Sequence, residues 1–139
     1  LGQRLETIVT HLALYKMGAI AVPLAAVFGP DAIAYRIGHA GARLAVTTAE
    51  GRERLPNGQA VVTVGGGGTD GWDTLMAQAS ARFVAAPTGP DTPAMMIFTS
   101  GTTGVPNWCW RMRESAVTDA IASRLRDLTA CYGRAASDA

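Results

Sequence analysis

The stretch Ala94-Met95-Met96-Ile97-Phe98-Thr99-Ser100-Gly101-Thr102-Thr103-Gly104-Val105-Pro106 decides how this 139-residue chain is read. Five apolar residues run without a polar break, as in a strand buried on both faces. A loop of small hydroxylated residues and glycines follows at once. Gly101 and Gly104 can take left-handed φ angles, small side chains let the backbone come close to an anion, and Thr99, Ser100, Thr102 and Thr103 add hydroxyl donors to the backbone N–H groups. The segment therefore reads as a phosphate loop at the end of a buried strand. A P-loop of the Walker type would close on Gly-Lys-Ser/Thr; that step does not occur here, so the solution is a different one.

Outward from the loop, helix and strand signals alternate. Arg4 to Met17 carries Ile8, Leu12 and Tyr15 at helical spacing, with Val9 and Ala13 beside them, and Gly18 closes the run. Ala19 to Leu24 is expected as a short buried strand. Pro30 and Asp31 open a second helix through Ala40, Gly41 stops it, and Leu44 to Thr47 reads as a strand. Val61 to Val64 is a third strand, Trp72 to Ser80 a short helix, and Met95 to Phe98 a central strand. This order predicts an α/β fold, a partial parallel sheet with flanking helices and right-handed crossovers. Gly65 to Gly68 is expected as a flexible surface loop: four adjacent glycines give freedom, not a defined cradle. Ala85 to Pro93, with Pro87, Pro90 and Pro93, is a connector.

A strand followed by Thr-Ser-Gly-Thr-Thr-Gly-x-Pro resembles the signature loop of the adenylate-forming superfamily, which includes acyl-CoA synthetases, nonribosomal peptide adenylation domains and luciferases. Glu6 to Leu24 is similar to the early helix and strand of that family's large N-terminal domain, and Gly29 to Val46 to the helix and strand that follow. The resemblance covers roughly residues 1 to 106 and is nearest to acyl-CoA synthetases. It implies a partial AMP-binding N-terminal domain over residues 1–107. It also implies, for the intact relative, a ligase that activates a carboxylic (fatty) acid with ATP and Mg²⁺ to an acyl-adenylate and passes the acyl group to coenzyme A. Thr99, Ser100, Gly101, Thr102, Thr103 and Gly104 are then the nucleotide-binding residues.

The family pattern continues Pro-Lys-Gly, whereas this chain continues Pro106-Asn107-Trp108-Cys109. A phosphate-facing ammonium is replaced by a neutral amide. Losing a charge-assisted contact of this kind costs about 1.5 to 3 kcal/mol, or roughly tenfold to over a hundredfold in affinity. The family uses a second lysine in a small C-terminal domain, yet Lys16, in the first helix, is the only lysine here. The family's magnesium-binding Glu, ribose-binding Asp and hinge have no counterpart either. No residue is assigned a catalytic or metal role, and the chain alone is expected to be inactive. The rival reading is a non-catalytic remnant with weak or no nucleotide binding, whose cut sheet leaves an edge open to self-association.

Bulk properties bound the remaining classes. A net charge of +1 with 17% charged residues leaves no electrostatic footprint for nucleic acid or an anionic membrane. Neither a spanning apolar run nor a signal peptide is evident, and Cys109 and Cys131 form no disulfide framework, so a reduced cytoplasmic setting is expected. The start at Leu1 fits a fragment or processed product. His11 and His39, each in an expected helix, have no ligand partners at metal spacing and read as structural.

Residues 108–139 form a divergent tail with five of the eleven arginines, both cysteines and two of the three tryptophans. Its charges are not clustered, which argues against an arginine-rich interaction module. Two accounts compete: a frameshift near Asn107, or a variant helix carrying Val117, Ile121, Leu125 and Leu128 on one face. The first predicts a Lys-Gly continuation after Pro106 in another reading frame of the coding DNA. Sequencing that yields none leaves the helix.

Overall fold

The structure, a computed structural model, describes residues 1–99 and the backbone of residues 108–112. Helix α1 (Leu5–Lys16) is followed by α2 (Pro30–Ala40), strand β1 (Leu44–Thr48), the single turn α3 (Ala49–Arg52), β2 (Ala60–Val64), α4 (Trp72–Gln78), β3 (Pro93–Phe98) and β4 (Trp108–Met112). The α/β class agrees with the sequence reading, as do the bounds of the second helix; α1, β1, β2, α4 and β3 differ from it by one or two residues at their ends, and α3 and β4 are elements that it does not contain.

Strands β1 and β2 pair in parallel, with Val46 opposite Val62. The intervening α3 is capped by Thr48, whose hydroxyl accepts a hydrogen bond from the Gly51 N–H at 3.2 Å. Strand β3 instead pairs antiparallel with β4, Ile97 opposite Cys109 and Phe98 opposite Trp108. The sheet arrangement is thus mixed, and a strand lies where the divergent tail begins.

One expectation is corrected: Ala19 to Leu24 is not a strand. Only Ala21 bridges to β3: its N–H donates to the Ala94 carbonyl and its carbonyl accepts from the Met96 N–H, each at 2.9 Å. Pro23, with no N–H, ends any longer ladder. The glycine run, expected as a flexible surface loop, lies in a largely exposed loop between β2 and α4. Gly65 and Gly68 take φ of +72° and +107°, and the loop brings the Thr63 N–H to the Asp70 carbonyl at 2.9 Å. Arg52 reaches across this loop to Asp70 and to the Thr63 hydroxyl.

Strand β3 forms a two-stranded sheet with β4, which pairs along one edge, and Ala21 bridges to its other edge at Met95. Ala94 and Met96 are buried while Met95 and Ile97 are half-buried, so the second face is sealed less completely than the all-apolar run suggested. Helix α2 meets the Ala94–Met96–Phe98 face at Phe98, and its inward stripe is Ile33, Arg36 and Ile37. Full burial of a side chain such as Ile33 or Ile37 stabilises by about 1.5–3 kcal/mol. The expected apolar stripe on α1 stays open: Ile8 is 60% and Leu12 56% exposed, and no α1 residue is buried.

Helix α2 starts where Pro30 takes the first helical position and stops where Gly41 turns left-handed, at φ 59° and ψ 36°. The Ala42 N–H then closes back on the Ile37 carbonyl at 3.0 Å. A Cβ added at Gly41 would meet no atom within 4 Å, so its cost is conformational only. Gly41→Ala is expected to destabilise by about 1–2 kcal/mol. Gly38→Ala, inside the helix and equally open, should stabilise by about 0.5–1 kcal/mol. Urea midpoints of both variants check the pair, and equal shifts would contradict the assigned backbone conformation.

His11 lies against Tyr15, ring edge to face at 5.8 Å, with Nδ1 at 3.2 Å from the phenol oxygen. Burial pushes its pKa below the ordinary value of 6.5. The unfolded chain therefore binds the proton more tightly than the folded one. This group's contribution to stability is intact above pH 6.5 and is lost as pH falls from there through the lowered folded value. His11→Gln should reduce the drop in melting temperature between about pH 7.5 and pH 5.5. An unchanged drop would exclude His11 as its source.

Candidate functional site

The site lies where β3 ends. Of the residues the sequence singles out, Thr99 is described: it is exposed and directly follows Phe98, the last residue of the strand. Ser100, Gly101, Thr102, Thr103 and Gly104 lie outside the described residues, as do Asn107 and the tail positions Val117, Ile121, Leu125, Leu128 and Cys131. The chain leaves β3 at Thr99 and returns as β4 at Trp108, antiparallel and paired with Phe98. The two ends of the loop segment are thereby held side by side by the β3–β4 ladder.

Helix α2 supplies the wall at this end of the sheet. The His39 ring meets Phe98 edge to face at 5.9 Å and stacks on Tyr35 at 5.7 Å. One turn earlier, Arg36 extends its guanidinium between two rings, 4.1 Å from the centroid of Phe28 and 5.7 Å from that of Phe98. A desolvated cation over an aromatic face gains about 2 kcal/mol. One terminal nitrogen of Arg36 donates to the Ala32 carbonyl at 2.9 Å, one turn back on the same helix. Its Nε is buried and, among the described residues, meets no hydrogen-bond acceptor. Phe28 is held in turn by Arg54, which donates to the carbonyls of Ala26 at 2.7 Å and Phe28 at 3.4 Å.

The sequence reading did not single out Arg36, Phe28 or Phe98. A signal was there: Arg36 sits three residues after Ile33 and one before Ile37, on the stripe that amphipathic spacing turns inward. A charged residue at an inward position calls for a partner.

Elsewhere the arrangement offers less. Arg52 lines a depression of about 190 Å³ with Leu55, Pro56, Asn57, Gly58, Gln59 and Val61, but it already pairs with Asp70. Among the described residues no three His, Cys, Asp or Glu side chains gather to hold a metal ion. No helix of the described residues is long and apolar enough to cross a membrane.

The chain is similar to known proteins in sequence and in structure. The chain is 30% identical over 104 residues to the benzoate–CoA ligase of Thauera aromatica, which covers 70% of this chain and 20% of that protein. It is 34% identical over 114 residues to a probable non-canonical nonribosomal peptide synthetase, CymA, of Salinispora arenicola, covering 76% of this chain and 1% of that one. The crystal structure of a Brucella canis acyl-CoA synthetase superposes with a TM-score of 0.66 at 31% identity, over 77% of this chain and 21% of the other. The chain thus spans about a fifth of the length of the ligase and the synthetase it matches. The family model for AMP-binding enzymes matches residues 1–132, from before α1, through β3 and its loop, and past β4 into the tail, and by that match the chain belongs to the AMP-binding, adenylate-forming enzymes.

Proposed function

We propose that this chain is the phosphate-binding, N-terminal part of an acid–thiol ligase of the acyl-CoA synthetase type. The observation that carries the reading is the loop sequence Thr99 to Pro106, which directly follows the apolar strand β3 in a chain of this family. Two relatives whose names specify CoA ligation or acyl-CoA synthesis support coenzyme A as the acyl acceptor of the intact protein.

In this reading Thr99, Ser100, Gly101, Thr102, Thr103 and Gly104 hold the β- and γ-phosphates of ATP. Backbone N–H groups and hydroxyls donate to the phosphoryl oxygens. Donors fixed in place before the nucleotide arrives need no reorganisation as charge builds on the pyrophosphate leaving group. A carboxylate oxygen of the acid attacks the α-phosphorus, the bond from that phosphorus to the bridging oxygen breaks, and the electron pair leaves with pyrophosphate. The thiolate of coenzyme A then displaces AMP from the acyl carbon. Magnesium, when bound with the nucleotide, screens the triphosphate charge. The division at residues 107 and 108 and a cytoplasmic setting belong to the same proposal.

A second reading has its own observation. Asn107 stands where the family pattern has lysine, and Lys16 is the only lysine of the chain. These favour a remnant that binds nucleotide weakly and does not catalyse, with the exposed Leu5, Ile8 and Leu12 favouring association.

Calorimetric titration of the full chain with MgATP separates the readings. The ligase-derived site predicts saturable binding that tightens about tenfold to a hundredfold in Asn107→Lys. The absence of heat from either protein, with a folded circular dichroism spectrum, would reject it.

A further inference from the structure

We draw no further inference here: the strongest candidate, the exposed apolar surface patch that Leu5, Ile8 and Leu12 form along α1, carries nothing because no feature of the described residues shows what covers it.

Discussion

Two backbone hydrogen bonds organise the described part of this chain. The Ala21 N–H reaches the Ala94 carbonyl and the Met96 N–H reaches the Ala21 carbonyl, each at 2.9 Å, and they tie residues separated by more than seventy positions. The long loop closed by this contact carries an entropic penalty, and burial of Ala21, Ala94 and Met96 around it offsets part of that penalty. With Ala21 bridging one edge at Met95 and β4 paired along the other, β3 is tied on both sides near its middle. A second anchor, the Ala86 N–H to the Lys16 carbonyl at 2.8 Å, brings the proline-rich connector against the end of α1 before β3 begins.

From that frame the position of α2 follows. Pro30 and Gly41 set its ends, Ile33 and Ile37 set its inward face, and the face can turn only one way against Phe98. Arg36 is carried inward by its place between the two isoleucines. The cation at the strand end is thus a consequence of helix phase, and the Phe28 ring that flanks it is positioned by Arg54 from beyond β1. Three separate stretches of sequence converge on one guanidinium.

The open apolar face of α1 has a simple physical reading. Leu5, Ile8 and Leu12 are 72%, 60% and 56% exposed, far above what a free-standing domain tolerates in a contiguous stripe. The chain spans about a fifth of its matched ligase and synthetase relatives. Amphipathic spacing fixes which way a helix turns its apolar side chains, while burial depends on what packs against that face, so the periodicity located α1 without deciding its burial.

By itself the sequence determined the elements whose signals are local: α2 from Pro30 to the left-handed Gly41, the parallel strands β1 and β2, and the apolar β3 with its hydroxyl- and glycine-rich continuation. Those signals act over a few residues, through fixed φ angles, capping and side-chain period, so they are legible without contacts. Tertiary structure alone decided the rest. It reduced Ala19–Leu24 to one bridging residue, paired Arg52 with Asp70, set β4 antiparallel to β3, and brought Phe28, Arg36 and Phe98 together. Each of these depends on groups far apart in the chain, whose approach is governed by burial and pairing and not by local propensity.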